Sequence, residues 1–379
     1  MPPKWGADLS LVCANMAPTS PETCPMSTKI TLSKSLRQYV QSNFDAHTDP
    51  IPQLKCTDPD AYDYKIGMHD FEPEAVFSEV LTLHSQLSAI IQKQLSPQQE
   101  KLLEDYIFEC LAGMVYGSNM IEHAGSSPDI TKKLCSAVFH GEQLPDDILE
   151  EPKLYLELKK HLLLNNLPAS MQAVWRSFRE VVQHAQAASY MINQICILGQ
   201  DLTEDIILET HQILTHGIDA DDTPWQEYSG VYRMDEVSAG LHQFPHHSLV
   251  PYKMKAMIRE LGSDLKEVAR NGEVDAVALA SKYAHKFVNI HPFIDGNGRM
   301  SRLILNSMLL KLGSFLVCIG ECKEDCTLYL EVAANGAGLE ETYGDFDEED
   351  KPVMHKQLGS LVLSHLQKSM HKLVYNLGV

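Results

Sequence analysis

The sequence predicts a mainly α-helical fold that contains one short β-hairpin. Apolar residues recur three or four positions apart through much of the chain, which is the period of a helix with one buried face. The Ser-Pro pair at 96–97 combines a helix N-cap with a proline at the first helical position. Alternation of apolar and polar residues is rare and is found chiefly around residues 232–244, where we expect the hairpin.

The N-terminal half is predicted to begin with an arm and to continue with helices. Residues 1–60 hold several prolines and Ser/Thr clusters without a sustained period, so we expect a flexible or loosely packed arm. Residues 61–200 form a predicted group of N-terminal helices. The helical patterns in this group span residues 71–94, 96–122 and 171–198.

Residues 201–379 are predicted to form the core and C-terminal helices. One helix is expected over residues 275–290, with Asp275 as its N-cap, because Pro292 disfavours the helical conformation at His291. The next is expected over residues 298–312, with Gly313 as its C-terminal stop. The acidic stretch 340–350 is expected to be a solvated loop. Further helices are predicted at residues 204–214, 253–270 and 353–377.

Composition argues against two classes of partner. Lys and Arg number 31 against 51 Asp and Glu, a formal charge of −20, so neither nucleic acid nor an anionic membrane is expected as the main partner. The longest apolar run, residues 303–320, is interrupted by polar residues, and no secretory signal pattern is seen. Hydrophobic residues make up 44% of the chain, enough for a substantial core in one large or two smaller domains.

The nine cysteines predict reduced thiols. Their number is odd and they form no C-x-x-C pair, which fits a cytosolic or nuclear setting. Cys318, Cys322 and Cys326 lie four apart and would line one face of a helix. A metal site there would need a fourth ligand that the sequence does not clearly offer. We therefore favour apolar packing of these thiols.

Residues 291–302, HPFIDGNGRMSR, combine groups suited to phosphate transfer. His291 can move a proton near neutral pH, and the Asp295 carboxylate can hold a hard cation such as Mg²⁺. The Gly-Asn-Gly stretch at 296–298 can turn backbone N–H groups toward a phosphate at the start of a helix. Each fragment alone is most often only a turn, whereas the whole string at fixed spacing is a far more specific signal.

This string resembles the signature loop of the Fic family (Fic/Doc, or Fido, proteins), His-x-Phe-x-Asp/Glu-Gly-Asn-Gly-Arg-x-x-Arg, at every specified position. Members with this form typically transfer AMP from ATP, with Mg²⁺, to a hydroxyl side chain of a target protein. The resemblance implies a Fic-type helical bundle with a hairpin flap, His291 as general base, Phe293 as core anchor and Asp295 as the Mg²⁺ ligand. The ATP contacts that it implies in the loop are Gly296, Asn297, Gly298, Arg299 and Arg302.

The resemblance extends over roughly residues 95–340. Residues 230–245 resemble the family's flap, and residues 330–335 resemble a helix whose asparagine, here Asn335, reaches the adenine end of the nucleotide. Residues 201–215, with His211, resemble the helix before the flap, and residues 124–168 look like an insertion relative to a compact Fic core. The ATP contacts that the resemblance implies in the flap are Val237, Ser238, Ala239 and Gly240.

Residues 118–122 resemble the inhibitory Ser/Thr-x-x-x-Glu motif of Fic proteins that carry it N-terminal to the core. In that class the glutamate, here Glu122, pairs with the second arginine of the loop, here Arg302, and blocks the ATP γ-phosphate. Ser118 occupies the first motif position. The pattern usually continues with Gly or Asn, whereas this chain has His123. The alternative is an exposed glutamate near a helix end, since this short pattern often arises by chance.

A Mg²⁺-dependent protein adenylyltransferase, inhibited by Glu122, is therefore the leading hypothesis. Two alternatives stay open: a de-AMPylase that acts on the same modified target, and a catalytically silent protein-binding adaptor. The expected partners are ATP and a protein with a Ser, Thr or Tyr hydroxyl, without nucleic acid or membrane, and a homodimer is left open. A cytoplasmic or nuclear location is expected from the cysteines.

Overall fold

The computed structural model describes residues 31–44, 52–142, 144–145, 148–239, 242–344, 346 and 350–378. This part of the chain is dominated by α-helices, which confirms the predicted fold class. The helices are α1 (Leu32–Asn43), α2 (Pro73–Ile91), α3 (Pro97–Ile121), α4 (Pro128–Phe139), α5 (Pro152–Leu164), α6 (Met171–Ile192), α7 (Glu204–Thr215), α8 (Trp225–Tyr228), α9 (Val250–Asn271), α10 (Ala276–Ile290), α11 (Asn297–Gly313), α12 (Lys323–Tyr343) and α13 (Lys356–Asn376).

The strands in the described part of the chain form three pairs, with two residues in each strand. They are β1 (Gln53–Leu54) with β6 (Glu273–Val274), parallel; β2 (Lys65–Ile66) with β3 (His69–Asp70), antiparallel; and β4 (Ser238–Ala239) with β5 (His242–Gln243), antiparallel. The last pair lies inside the predicted hairpin. Regular pairing there is shorter than the predicted segment 232–244.

Side chains at the helix starts explain where many helices begin. Ser96 and Gln99 cap α3 reciprocally, so the predicted start of this helix is confirmed. Asp275 accepts a hydrogen bond from the backbone N–H of Ala278, which confirms the predicted start of α10. Capping oxygens on four other helices come from Thr31, Ser127, Ser170 and Thr203.

The segment predicted as a loose arm contains a packed helix, so that prediction is wrong for residues 32–43. Leu36 and Val40 of α1 are buried, and this helix packs against α3. Strand β1 pairs with β6, more than 200 residues away. The apolar face of α1 is too short to produce a sustained period, which is why the pattern was not apparent. Residues 1–30 and 45–51 lie outside the described residues.

Helix α11 lies at the centre of the molecule. Nearly all of its residues are buried, including both of its arginines, as expected for a helix surrounded by protein. It packs on α10, and α3, α6, α7 and the π-helical turn Asn193–Ile197 also contact it. The loop that joins α10 to α11 is therefore held from several sides.

Two predicted helix ends differ from the observed ones. Helix α11 includes Gly313 and is followed by its C-cap, Ser314, which takes the left-handed conformation (φ 60°) and accepts a hydrogen bond from the Asn43 amide. Helix α12 continues to Tyr343, so the predicted acidic loop is wrong for residues 340–343. Its extension is stabilised by Glu340, whose Oε1 lies 3.0 Å from Nε2 of the buried His285.

Candidate active site

The loop between α10 and α11 is fixed by its own side chains. His291 ends α10 in the left-handed conformation (φ 50°), which agrees with the predicted exclusion from the helical region before Pro292. The Asn297 amide spans the loop, since its Oδ1 accepts from the Phe293 N–H at 3.0 Å and its Nδ2 donates to the Phe293 carbonyl at 2.8 Å. Phe293 is fully buried. The loop is therefore rigidly attached to the core.

His211 on α7 packs against this loop and bonds to it. Its ring stacks on Phe293 with centroids 3.6 Å apart. Nδ1 accepts the Gly230 N–H at 2.9 Å, so Nε2 carries the proton that is donated to the Asp295 carbonyl at 2.9 Å. Burial lowers the pKa of His211 to about 4. The sequence marked this residue only as part of a resembling helix, and the structure shows that it positions the loop.

His291 is held as a neutral imidazole by a contact at its Nδ1 atom. Nδ1 lies 3.0 Å from the Val288 carbonyl, and because a carbonyl only accepts, Nδ1 carries the proton and Nε2 keeps its lone pair. The ring stacks on Phe244 of the flap with centroids 3.7 Å apart. Burial lowers the pKa of His291 to about 4. At neutral pH the ring is therefore ready to accept a proton.

Arg233 connects the flap to the loop, a role that the sequence did not reveal. It is buried, and its guanidinium donates to three backbone carbonyls, those of His291 (2.7 Å), Asp235 (2.8 Å) and Pro245 (2.6 Å). Bonds to backbone carbonyls leave no pattern of side-chain spacing, so only the residue's place in a resembling segment marked it. The flap is thereby fixed relative to His291.

The start of α11 has the geometry that the predicted anion-binding turn requires. Gly296 has φ +81°, a left-handed conformation that glycine adopts without strain. The backbone N–H groups that follow are the unpaired donors of a helix N-terminus. At Gly298 an added Cβ would lie 2.1 Å from Oε1 of Glu122. A carboxylate thus already occupies the space in front of this turn.

Asp295 and Arg299 form a local ion pair at the same turn. Arg299 Nη2 donates to Asp295 Oδ2 at 3.0 Å, and the Gly296 N–H donates to Oδ1 at 2.6 Å. Burial acts to raise the pKa of Asp295, but Arg299 and the Gly296 N–H hold it below its usual value. Among the described residues, the buried Nε of Arg299 has no hydrogen-bond partner. That donor is available to an anion.

The donor set around Asp295 is compatible with a Mg²⁺ ion that arrives with a nucleotide. The carboxylate is ionised and its side chain is 35% exposed. Mg²⁺ commonly takes one or two carboxylates together with substrate phosphates and water. No cluster of three or more His, Cys, Asp or Glu side chains suited to a metal occurs in the described residues. Asp295 would therefore hold the ion together with ligands from the nucleotide and water.

Arg302 is paired with the end of α3. Its Nε donates to Ser118 Oγ at 2.8 Å, and its Nη2 donates to the Ser118 carbonyl at 3.0 Å and to Glu122 Oε1 at 2.5 Å. The Tyr329 ring lies 5.1 Å from the guanidinium carbon, a cation–π distance. The predicted pairing of Glu122 with Arg302 is thus present as geometry. Its effect on activity stays a prediction.

His123 departs from the usual pattern without distorting this helix end. It has φ +52°, in the left-handed region where Gly and Asn are favoured and where His is also enriched among other residues. The next turn is anchored by Glu180, whose Oε2 accepts the Gly125 N–H at 2.7 Å. Asn119 donates to the Glu180 carbonyl at 3.2 Å. The helix end that carries Glu122 is therefore held in place although His123 stands where the usual pattern has Gly or Asn.

The remaining predicted site residues lie on the hairpin and on α12. Ser238 pairs with Gln243 and Ala239 with His242 in the hairpin, and Val237 precedes them. Gly240 lies outside the described residues. Asn335 is exposed on α12, where its Nδ2 donates to Gln357 Oε1 at 2.9 Å. Gln357 comes from α13 and was not identified from the sequence.

The structure also places the cysteines that the sequence offered as an alternative metal site. Cys318 precedes α12, which begins at Lys323. The three thiols therefore do not share one helical face, and that expectation is wrong. The Cys318 thiol donates to the Cys110 carbonyl at 3.2 Å, and the Cys326 thiol donates to the Gly320 carbonyl at 3.3 Å. The seven described cysteines are free thiols.

Comparison with known proteins agrees with this geometry. The sequence profile of the Fic/DOC family matches residues 201–309. A protein adenylyltransferase Fic of Drosophila yakuba is 32% identical over 122 residues, which is 32% of this chain and 22% of that protein. A Fido domain-containing protein of Dictyostelium discoideum is 36% identical over 84 residues, 22% of this chain and 56% of that protein. The chain thus matches only about a fifth of the Drosophila relative's length.

A solved structure shares the fold. The crystal structure of a Fic domain-containing signaling protein from Bacteroides thetaiotaomicron gives a TM-score of 0.57 at 19% identity, over 79% of this chain and 97% of that chain. Among the described residues, no helix is long and apolar enough to cross a membrane. The profile match thus identifies a Fic/DOC domain at residues 201–309 of this chain, and the shared fold agrees with it.

Proposed function

We propose that this protein is a nucleotidyltransferase that moves AMP from ATP to a hydroxyl side chain of a target protein, and that Glu122 keeps it in a low-activity state. The observation that carries the proposal is the position of His291. Its neutral imidazole lies at the same loop as the anion-binding turn of α11 and two buried arginines. The relatives named protein adenylyltransferase support the same chemistry.

In the proposed reaction, Nε2 of His291 accepts the proton of a target Ser, Thr or Tyr hydroxyl. The oxygen attacks the α-phosphorus of ATP, the bond to the β-phosphate oxygen breaks, and pyrophosphate leaves. The N–H groups at the start of α11 and the free Nε of Arg299 stabilise the charge that develops on the phosphate oxygens. These groups are fixed before substrate binds, so little reorganisation is needed.

Asp295 would hold Mg²⁺ together with the nucleotide phosphates, and the ion would neutralise phosphate charge when bound. In the structure, Oδ2 of Asp295 accepts a hydrogen bond from Arg299 Nη2. The hydrogen bond from Nε2 of His211 to the Asp295 carbonyl keeps the carboxylate at the turn. His211 thus acts as a positioning residue for this ligand.

Glu122 would inhibit by occupying two positions that the nucleotide needs. Its Oε1 lies in front of Gly298, at the anion-binding turn, and it neutralises Arg302. Charge-assisted Arg–carboxylate bonds are short and geometrically specific. An ATP γ-phosphate that pairs with Arg302 must therefore displace the carboxylate.

The proposed function is tested by incubating the Glu122→Gly protein with α-labelled ATP and a cell lysate, followed by mass spectrometry of the labelled bands. The matched control carries His291→Ala in the same background. General bases contribute ~10²–10⁴-fold, so the control should lose nearly all labelling while it keeps its helical circular dichroism. Retention of more than roughly a tenth of the labelling by the control would refute His291 as the base.

Removal of AMP from a modified target is a second candidate, because of the exposure of Glu122. Its side chain is 36% exposed although Arg302 beside it is 4% exposed, so water can reach the carboxylate next to the anion turn. A carboxylate there can orient a water molecule for attack on phosphorus. Release of AMP from a labelled target by wild type but not by Glu122→Gln would favour this direction.

A further inference from the structure

Phe244 of the flap lies face to face with the imidazole of His291. The ring centroids are 3.7 Å apart and the ring planes differ by 15°. A contact of this kind covers one face of the imidazole with apolar carbon and keeps water away from it. Phe244 thus joins the flap to the side chain of the proposed base, whereas Arg233 bonds to the carbonyl of that residue.

The stacking does not use the atom that would accept the proton. The lone pair of Nε2 lies in the plane of the His291 ring, and the Phe244 ring lies above that plane. A target hydroxyl that gives its proton to Nε2 approaches along the plane, so it does not have to displace Phe244. The contact is therefore compatible with the proposed reaction.

The Phe244 ring is itself held in place. Its backbone N–H donates to the Val237 carbonyl at 3.4 Å. The carbonyl of the next residue, Pro245, accepts from Arg233 at 2.6 Å. The His242 ring meets the Phe244 ring edge-on, with centroids 4.8 Å apart and planes at 84°. A ring that is restrained at both its backbone and its side chain can restrain the group stacked on it.

The hydrogen bond at Nδ1 alone does not define the position of the His291 ring. Nδ1 lies 3.0 Å from the Val288 carbonyl, and one bond of this length still allows the ring to tilt about it. Stacking on a flat neighbour removes that freedom. Catalytic groups must stand within ~0.5 Å of their productive position. The two contacts together can hold Nε2 to such a tolerance.

Burial is the largest of the causes that set the pKa of His291, and it lowers the pKa. The hydrogen bond at Nδ1 and the Glu122 carboxylate on α3 raise the pKa, whereas Arg233 and His242 of the flap lower it. Phe244 carries no charge, so its ring acts on the imidazole only by excluding water. The flap therefore affects His291 through charges and through this ring.

We propose that Phe244 is a positioning residue for the base of the transfer reaction, because its ring fixes the plane of the His291 imidazole and keeps water from one face of it. The inference rests on the proposed function, since it concerns the base of that reaction. Phe244 acts through His291 and takes no proton itself. The flap thereby keeps the base oriented and neutral before a target hydroxyl arrives.

The test uses the full chain with Glu122→Gly as the parent, in which ATP binding is not opposed by that carboxylate. Phe244→Ala, which removes the ring, and Phe244→Tyr, which keeps a flat ring, are made in this background. The matched control is Tyr252→Ala, which removes an aromatic ring that is 71% exposed. Transfer of label from α-labelled ATP is measured between about pH 5 and pH 8, and circular dichroism checks the helical content of each protein.

We expect Phe244→Ala to transfer AMP about tenfold more slowly than the parent near pH 8, because the base is no longer oriented. Its activity should fall further below pH ~6.5, since water reaches the imidazole, the pKa of His291 rises toward the ordinary ~6.5, and a protonated ring cannot accept a proton. The parent, Phe244→Tyr and Tyr252→Ala should keep a pKa of about 4 at His291 and lack this decline. A pH profile of Phe244→Ala that matched the parent's would overturn the inference.

A second readout does not depend on transfer. NMR titration of isotope-labelled histidines follows His291, whose resonance is identified by its absence in His291→Ala. The titration midpoint should rise by at least about one pH unit in Phe244→Ala. If the parent transfers AMP and neither the midpoint nor the profile responds, only the role of Phe244 is refuted. If the midpoint rises but the parent labels no protein, the proposed function is refuted together with the role in transfer, and water exclusion by the ring is supported.

Discussion

The two arginines of α11 form pairs that look alike and differ in where their carboxylates come from. Arg299 lies 3.0 Å from Asp295, with side-chain exposures of 5% and 35%, and Arg302 lies 2.5 Å from Glu122, with exposures of 4% and 36%. Asp295 is four residues from its arginine, whereas Glu122 is 180 residues away on α3. The two pairs thus have similar burial and similar distances. They differ in the separation of their two residues along the chain.

This difference fits the two roles that we propose for the carboxylates. Asp295 is fixed to the turn by the Gly296 N–H and by His211 through its carbonyl, so it stays with the loop. Glu122 reaches Arg302 only because α3 ends beside α11. The Glu122 carboxylate is therefore attached to α3 and not to the loop. The local pair is therefore suited to catalysis, and the distant pair is suited to regulation.

Breaking the local pair should give the largest loss. We expect Asp295→Asn, in the Glu122→Gly background, to weaken Mg²⁺-dependent ATP binding about 10–100-fold, because an amide is a poorer ligand for Mg²⁺ than a carboxylate. The affinity for ATP is measured by calorimetry with and without Mg²⁺. An identical response to the metal in the parent and the variant would show that Asp295 is not its ligand.

Low pH should destabilise the folded protein through His211 and His291. The pKa values of His211 and His291 are lowered to about 4 by burial, below the ordinary ~6.5 of an unfolded chain. Below pH ~6.5 the unfolded state therefore binds more protons, and stability falls as the pH drops toward 4, by on the order of 1–3 kcal/mol for each residue.

Urea unfolding from pH 7 to pH 4.5 measures this dependence. His291→Ala should reduce its slope, since it removes one of the two groups. The transfer activity should likewise show no inflection near pH 6.5 from His291. A slope unchanged by His291→Ala would contradict a lowered pKa of His291 in the folded protein.

The smallest expected effect concerns the contact between Gly298 and Glu122. A Cβ at position 298 would lie 2.1 Å from Oε1 of Glu122, but this oxygen is at the end of a flexible side chain. We therefore measure the change in unfolding free energy that Gly298→Ala causes in wild type and in the Glu122→Gly protein. The change in wild type should exceed the other by less than ~1 kcal/mol. A larger coupling in a double-mutant cycle would mean that Glu122 is held more rigidly than its exposure indicates.

Local structure around the loop could be predicted from the sequence because its causes are local. Asp275 caps α10, Pro292 ends it, and Gly296 allows the turn that starts α11. Each acts through neighbours in the chain, so residue type and spacing were sufficient. The fold class followed from the same helical periods and caps.

Interactions between distant segments could not be derived in this way. Glu122 was found only through resemblance to a motif, since nothing in its neighbourhood indicates Arg302 as its partner. Arg233 bonds to backbone carbonyls, which any sequence would provide. Gln357 meets Asn335 because α13 folds back on α12. These contacts depend on packing, which periodicity along one segment does not specify.

The central claim is that Glu122 and the ATP γ-phosphate compete for Arg302. It is tested by incorporation of label from α-labelled ATP into wild type, Glu122→Gly and Glu122→Gly/Arg302→Ala. We predict low auto-adenylylation in wild type, an increase of at least about tenfold in Glu122→Gly, and loss of much of that gain in the double variant. Equal incorporation by wild type and Glu122→Gly would contradict the claim, and α3 would then not be an inhibitory helix.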